Sequence, residues 1–223
     1  MNPDTLVISE IFHSIQGEAS FSGWPCIFIR LAGCGHGCKE CDTGYAEHEG
    51  ITLEIEEVIQ RALTFQAPCI EITGGEPLLQ PAVYPLMKQL CDRGQQVLLE
   101  TGGFISVEKV DKRVHKIIDL KPPSSGVEQH NHPDNIRLAL AAEPPHRCTF
   151  EFKIVIADKT DYEWATSLLH KHQLTESFTV MMGVAFGTLE PAELAEWMLR
   201  DRLRARLQLQ LHKYIWDPAR TGV

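Results

Sequence analysis

The amino-acid sequence predicts an α/β fold: a single domain of about six parallel strands and few helices, arranged as a partial, open and truncated TIM-like barrel. Short apolar runs alternate with helix-period segments along most of the 223 residues, which is typical of a parallel sheet with right-handed crossovers. Six such units are too few to close an eight-stranded barrel. The sequence contains no internal repeat and no low-complexity tract, and we therefore expect one domain over residues 1–223.

Each strand is predicted from an apolar run, and each helix from apolar residues three or four positions apart. The predicted strands are 26–31, 69–72, 97–100, 116–120, 150–156 and 178–182, and the predicted helices are 53–65, 81–93, 107–113, 161–172 and 191–202. Residues 121–147 are rich in Pro, Ser, Gly, Asn and His, and we expect a long loop with about one helical turn. Residues 207–216 are predicted to form a terminal strand.

The composition is that of an ordinary globular protein, with 43% hydrophobic and 23% charged residues. No stretch approaches the roughly 18 apolar residues of a membrane span, and the N-terminus lacks the features of a signal peptide. We therefore expect a cytoplasmic protein with no membrane contact. The net charge of −9 argues against a nucleic-acid partner. Seven unevenly spaced cysteines, three of them clustered, indicate metal ligands rather than a disulfide framework.

The most informative motif is the loop after the first predicted strand, which carries Cys34, Cys38 and Cys41 within eight residues. Thiolates this close can converge on one inorganic centre, but a structural zinc site and a ferredoxin-type cluster each want four protein ligands. Three thiolates can hold three irons of a [4Fe-4S] cluster and leave the fourth iron open to a small molecule. The alternative is half of a zinc site, completed by His36 or His48.

Polar motifs also follow the later strands, at Thr73–Glu76, Glu100–Gly103 and Lys121–Ser125. Because the carboxyl ends of parallel strands share one edge, we expect these motifs to surround one ligand together with the cysteine loop. Paired glycines allow close backbone approach, and the Glu76 carboxylate could accept a hydrogen bond from an ammonium group. Each motif taken alone also fits an ordinary turn. Lys153 is expected to face either this edge or solvent.

Two side chains suggest a bound anion and a bound metal ion. Arg30 stands in an otherwise apolar strand, where a buried guanidinium needs a structural carboxylate or a substrate carboxylate. The hydroxyl of Thr43 is a hard oxygen ligand of the kind that Mg²⁺ accepts, although it could equally cap a turn. Gln208, Gln210 and His212 share one face of the predicted terminal strand, and this face is either solvated or reads the edge of a heterocycle.

The C-x3-C-x2-C spacing after the first strand, followed by a Gly-Gly-Glu turn after the second, resembles the radical S-adenosylmethionine superfamily. The resemblance implies a [4Fe-4S] cluster on Cys34, Cys38 and Cys41, with S-adenosylmethionine on the open iron and radical chemistry supplied by the cofactor. It implies that S-adenosylmethionine contacts Glu40, Gly75, Glu76, Glu100, Lys121, Pro122, Pro123, Ser124 and Lys153. Glu40 stands where that superfamily often has an aromatic residue.

Four segments narrow the resemblance to the 7-carboxy-7-deazaguanine synthases, and it then covers the chain from about residue 8 to its end. They are 14–18, the Arg30 strand, 41–43 and 210–216. The implied reaction contracts the ring of 6-carboxy-5,6,7,8-tetrahydropterin with loss of ammonia, a step of queuosine and deazapurine biosynthesis. The implied pterin contacts are Ile15, Gln16, Gly17, Glu18, Arg30 and Thr73, with Glu18 and Arg30 also catalytic, Mg²⁺ on Thr43 and a substrate-reading C-terminal segment at 206–223. The implied partners are a flavodoxin- or ferredoxin-like reductant and a second copy of the chain.

Two other functions remain open from the sequence. One is an activating enzyme that generates a glycyl radical on a partner protein, which would share the cysteine motif but has no need of the 16–18 segment or Arg30. The other is not an enzyme: an electron carrier or a zinc-stabilised binding module.

Overall fold

The computed structural model describes residues 4–39 and 41–223, and within them nine strands form one sheet. The strands are β1 (Thr5–Ile15), β2 (Pro25–Leu31), β3 (Ile51–Glu54), β4 (Cys69–Gly74), β5 (Val97–Thr101), β6 (His115–Asp119), β7 (Phe150–Ile156), β8 (Thr179–Val184) and β9 (Arg206–Gln208). Their order is β3-β1-β2-β4-β5-β6-β7-β8-β9. From β2 to β9 the neighbours are parallel, whereas β1 is antiparallel to both β2 and β3. The end strands do not pair with each other, which confirms the open barrel.

The helices lie between the parallel strands in the sequence and contribute to the large core on one face of the sheet, except for the last one, which follows the final strand. They are α1 (Ile55–Leu63), α2 (Val83–Asp92), α3 (Asp134–Ala141), α4 (Lys159–His172), α5 (Leu174–Ser177), α6 (Pro191–Arg200) and α7 (His212–Ile215). In the part of the chain that the structure describes, no helix combines the length and apolar character needed to cross a membrane.

Strand alternation separates an apolar face from a functional face. On β4, Ile70 and Ile72 point into the large core beneath the helices, while Cys69 belongs to a small apolar cluster on the other side. Because side chains alternate along a strand, Glu71 and Thr73 share the concave face with Cys69. Both line the cavity found there. The same period of two places polar side chains of β5, β6 and β7 inside the barrel.

All six predicted parallel strands are present, but four other predictions need correction. The first helix begins at Ile55, because Ile51–Glu54 pairs with β1 as a strand. Only a 3-10 turn, Val107–Lys109, forms within 107–113. The segment 121–147 contains α3 as well as turns. The terminal strand ends at Gln208, and the chain then turns into α7.

Candidate functional site

A cavity of about 780 Å³ opens at the carboxyl ends of the parallel strands and collects most of the predicted site residues. Those in its wall are Ile15, Gln16, Gly17, Glu18, Arg30, Cys34, Cys38, Cys41, Thr43, Thr73, Gly75, Glu100, Lys121, Pro122, Ser124 and Lys153. Glu76, which is fully buried, and Pro123 are not among the residues that line the cavity, and Glu40 lies outside the described residues. Side chains from both ends of the sequence thus meet in one space.

The cysteine loop is held to its neighbours by the backbone. Gly33 donates its N–H to the Ala46 carbonyl (2.9 Å), and the Lys39 N–H bonds the Ser125 carbonyl (3.1 Å). Burial is the main reason that the pKa values of the Cys34 and Cys38 thiols are raised, with a contribution from the neighbouring thiols. In the metal-free loop the Cys34 and Cys38 thiols are therefore neutral, and they would release their protons on binding a metal.

The Gly-Gly-Glu turn packs directly against the entrance of the cysteine loop. The Gly75 N–H bonds the Leu31 carbonyl (3.1 Å), and the Glu76 N–H bonds the Gly33 carbonyl (3.0 Å). A Cβ on Gly75 would stand 2.2 Å from the Gly33 oxygen and 2.9 Å from the Cys34 Cβ. Only glycine allows this approach, so the turn fixes where the first cysteine sits.

The Glu76 carboxylate points at the next turn rather than into the cavity. Both of its oxygens accept from the Thr101 hydroxyl (2.8 and 2.9 Å), and they also accept from the N–H groups of Gly102 and Leu78. Burial raises its pKa against the effect of these donors. In this structure Glu76 joins the turn after β4 to the turn after β5.

An ionic cluster forms the opposite wall of the cavity. The Lys153 ammonium donates to the carboxylates of Glu100 and Glu18 (2.8 Å for Glu18) and lies 3.8 Å from Asp119. Lys121 donates to the Asp119 Oδ2 at 2.7 Å. Lys153 is thus buried among carboxylates, which settles the choice between cavity and solvent in favour of the cavity.

The pKa values in this cluster follow from burial and charge together. Burial alone would raise the pKa of Glu100, but the Lys153 ammonium outweighs it and lowers the pKa to about 2. Burial likewise disfavours the charged forms of Lys153 and Lys121, and the neighbouring carboxylates raise both pKa values instead. The lysines and Glu100 are therefore ionised at neutral pH.

The Arg30 side chain lies in the cavity wall and has a structural carboxylate as its partner. Its Nε donates to Glu10 Oε1 at 2.7 Å, and the same oxygen accepts from the Tyr45 hydroxyl at 2.7 Å. The guanidinium carbon stands 5.7 Å from the Phe12 ring centroid and 5.9 Å from that of Tyr45, within the range of a cation–π contact. Because Glu10 accepts from Nε, the terminal nitrogens of Arg30 are left for a second anion.

The C-terminal segment closes over Glu18. Both of its carboxylate oxygens accept amide hydrogen bonds at 2.9 Å, one from Gln208 and one from Gln210. His212 packs so tightly on Gly17 that an added Cβ there would lie 2.5 Å from its Nδ1. Burial lowers the pKa of His212 despite nearby carboxylates. Of the predicted polar face, Gln210 and His212 therefore line the cavity, whereas Gln208, which belongs to β9, supports Glu18 without lining it.

The turn at Lys121–Ser125 is anchored by α4. Asp161, fully buried in the first turn of α4, accepts from the Ser124 N–H at 3.0 Å and from the Ser124 hydroxyl. The Ser125 carbonyl in turn receives the Lys39 N–H from the cysteine loop. The predicted loop is thus ordered where it meets the site.

Sequence reasoning missed Asp119 and Glu71, two acidic residues of the cavity wall. Asp119 stands at the end of an apolar strand, two positions before Lys121, and Glu71 is the one charged residue within 69–74. In both cases the available signal was a charged residue two positions away from a predicted site residue, because residues two apart share one face of a strand. Asp119 Oδ1 is buried and has no hydrogen-bond partner among the described residues, so this part of the wall needs a donor.

These features fit a [4Fe-4S] cluster with S-adenosylmethionine better than a single zinc ion. Two thiolates on one zinc lie only about 3.8 Å apart, given Zn–S bonds of about 2.3 Å. Within 4–39 and 41–223, no three His, Cys, Asp or Glu side chains are grouped to hold one metal ion. The three thiols nevertheless line one cavity, and the unsatisfied Asp119 oxygen suits the ammonium or hydroxyl groups of S-adenosylmethionine.

Comparison with known proteins identifies relatives over the whole chain. Residues 28–198 match the Radical SAM superfamily. A protein of Chlorobaculum tepidum named 7-carboxy-7-deazaguanine synthase is 59% identical over 98% of this chain and 97% of its own length. The protein of that name from Koribacter versatilis is 39% identical, over 97% and 99% of the two chains.

Solved structures agree on the fold. The crystal structure of QueE from Escherichia coli superposes with a TM-score of 0.71 at 23% identity, covering 92% of this chain and 94% of that one. A structure of TYW1 with a lysine-pyruvate adduct gives a TM-score of 0.60 at 12% identity, over 78% and 72%. The sequence match, the two near full-length relatives and the shared fold together show that this chain belongs to the radical SAM superfamily and, within it, to the 7-carboxy-7-deazaguanine synthase family.

Proposed function

We propose that this chain is a 7-carboxy-7-deazaguanine synthase, which contracts the ring of 6-carboxy-5,6,7,8-tetrahydropterin with loss of ammonia. The observation that carries the proposal is that one cavity joins the three thiols to Arg30, Thr73 and Glu18. A cluster-bearing electron carrier has no need of a polar pocket opposite its thiols. The 59% identity to the Chlorobaculum tepidum enzyme over nearly the whole chain supports the same reaction.

The thiolates of Cys34, Cys38 and Cys41 would hold the cluster, and the turns after β4, β5 and β6 would hold S-adenosylmethionine. When bound there, the cluster and S-adenosylmethionine would supply the radical chemistry that starts the rearrangement of the pterin. Gly75 allows the backbone of its turn to contact the cysteine loop. Glu76 joins this turn to the turn after β5 through its hydrogen bonds. The Glu100 turn would also contact S-adenosylmethionine, together with Lys121, Pro122, Pro123, Ser124 and Lys153.

The pterin would lie against the 15–18 turn and the inner face of β2 and β4. Arg30, already oriented by Glu10, would receive the substrate carboxylate on its terminal nitrogens. Thr73 donates to Glu100 at 3.4 Å and offers its oxygen to the substrate. The Glu18 carboxylate, held by Lys153 and two glutamine amides, is fixed in place to accept from ring N–H groups.

Mg²⁺ would bind beside the cluster loop. The Thr43 hydroxyl lies 3.8 Å from the Cys41 Sγ and lines the cavity. A hard cation could share this hydroxyl with the substrate carboxylate and water. The 206–223 segment would then cover the substrate as part of a single domain over 1–223. A cytoplasmic location, a flavodoxin- or ferredoxin-like reductant and a homodimer complete the proposal.

Anaerobic turnover tests the proposed function. Protein reconstituted with iron and sulfide is incubated with the carboxypterin, S-adenosylmethionine, Mg²⁺ and a reductant, and the product is detected by mass. We expect 7-carboxy-7-deazaguanine and free ammonia. A glycyl-radical activating enzyme would cleave S-adenosylmethionine without forming a deazapurine, and that result would exclude the proposed reaction.

A further inference from the structure

Glu71 lies at the centre of the concave face and is 1% exposed. Its Oε2 accepts a hydrogen bond from the Gln16 side-chain amide. Its carboxyl group lies on the same face of the sheet as that of Glu100 on the neighbouring strand, and both line the cavity. Two carboxylates on one buried face repel each other, and burial disfavours the charged form of each, so one of them carries a proton. Which of the two carries it is decided by the charges around them.

The charged and titratable groups that face Glu71 come from several elements. They are the carboxylates of Glu100 and Glu18, the ammonium of Lys153, and the thiol of Cys26 on β2. Lys153 bonds Glu18 and Glu100 directly, while no ion pair of the described residues includes Glu71. Burial, followed by the Glu100 and Glu18 charges, raises the pKa of Glu71 well above its usual range. Glu100 is therefore the ionised partner.

We infer that Glu71 is a positioning residue that stays an un-ionised carboxylic acid, donating its proton to Glu100 and accepting from Gln16. Gln16 is thereby fixed at both ends of its amide, because its Oε1 accepts from the Glu18 N–H at 3.2 Å. The backbone of Gln16 is also paired to Trp24 and Gly23 at 2.8 Å. Glu71 thus locks the 16–18 turn, which places Glu18 in the cavity.

The protonation of Glu71 can be tested on the metal-free protein. Glu71→Gln keeps one acceptor for Gln16 and one donor for Glu100 but cannot ionise. Wild-type stability includes a contribution that is present below the ordinary carboxyl pKa and is lost as pH rises towards the raised pKa. In urea denaturation, the free energy of unfolding of Glu71→Gln relative to that of the wild type should therefore grow with pH. Infrared spectra should show an un-ionised carboxyl stretch that Glu71→Gln removes.

Glu100→Gln is the matched control, because the pKa of Glu100 is lowered to about 2. A carboxyl group whose pKa is lowered in the folded state stabilises the fold at pH values above its pKa in the unfolded chain. This stabilisation is lost as the pH falls through the pKa of the folded state. Glu100→Gln should therefore be less stable than wild type at neutral pH, with a difference that shrinks in acid. If Glu71→Gln behaved like Glu100→Gln, or showed a difference independent of pH, the inference would be overturned.

The positioning role rests on the proposed function and needs a second measurement. In cluster-loaded protein, Glu71→Leu should raise KM for the carboxypterin about tenfold, the scale of one lost buried hydrogen bond, with a smaller change in kcat. Glu71→Gln should restore KM. Glu71→Ala provides a second break if Glu71→Leu does not fold. An unchanged KM in a folded variant would remove the positioning role, whereas absence of turnover in wild type would sink only the proposed function.

Discussion

The two walls of the cavity are built in different ways. The wall at the cysteine loop is made of backbone: glycine turns after β2 and β4 approach within contact distance and exchange N–H···O=C bonds. The opposite wall is made of charged side chains from β5, β6, β7 and the turn after β1, bonded around Lys153. The first wall shapes a space for a bulky inorganic group, and the second sets charge. Variants on the two walls should therefore fail differently.

The largest effect is expected from Cys38→Ser, which removes one of the three proposed cluster ligands. We expect iron content and visible absorption to collapse, and deoxyadenosine formation to be lost, without a large loss of folding stability. Cys148→Ser is the control, because that exposed thiol lies outside the cavity. A Cys38→Ser protein with full iron and normal radical formation would show that this wall does not hold the cluster.

Lys153→Met should be the most damaging change on the charged wall. It leaves Glu18 and Glu100 buried without their cation, and breaking such a pair costs about 3–5 kcal/mol. Urea denaturation at neutral pH measures this loss of unfolding free energy. Lys171→Met, on the exposed surface of α4, should change stability little. Equal stability of the two variants would contradict the ion cluster.

Arg30→Ala should separate substrate binding from cofactor cleavage. Removing one partner of a buried charge pair costs about 2–5 kcal/mol, so KM for the carboxypterin should rise by about 30-fold or more. Cleavage of S-adenosylmethionine by the reduced cluster should remain. Glu10→Gln, which leaves the guanidinium in place, should have the milder effect on KM. Normal turnover by Arg30→Ala would remove Arg30 from the substrate site.

Gly75→Ala should damage the backbone wall without touching a charge. The new Cβ would overlap the Gly33 carbonyl and displace the cysteine loop. We expect a lower iron content after reconstitution and a stability loss of about 1–3 kcal/mol from overpacking. The control is Gly94→Ala, whose new Cβ meets nothing within 4 Å although the backbone has φ +78°. This variant should lose stability through backbone strain and keep full iron loading.

The smallest effect is expected from Thr43→Ala. One hydroxyl ligand is lost from a site otherwise completed by substrate and water, so the Mg²⁺ concentration needed for half-maximal rate should rise while the maximal rate changes little. A titration of rate against Mg²⁺ measures this. An unchanged titration would take Thr43 out of the metal site.

The part of the fold that could be predicted follows mostly from local sequence patterns, namely apolar runs and helical periodicity. The six parallel strands that were predicted are largely apolar runs with buried residues on both faces, as is typical of parallel sheets. β1 escaped prediction because much of it is only half-buried, and β3 because its four residues are mostly exposed. Helix α3 was missed because its weakly apolar sequence is stabilised by tertiary contacts, including Asn135, which bonds Val107, Gly103 and Ile105 across the fold.

The sequence by itself determined the cysteine loop, the Gly-Gly-Glu turn and their place at one edge of a parallel sheet. These depend on residues close together in the chain, on glycine conformations and on hydrophobic periodicity. The tertiary structure alone decided that Gln208 meets Glu18, that Lys153 joins three carboxylates and that Glu71 receives the Gln16 amide. Such pairs are set by strand register and sheet curvature, and their protonation is set by burial, none of which local sequence encodes.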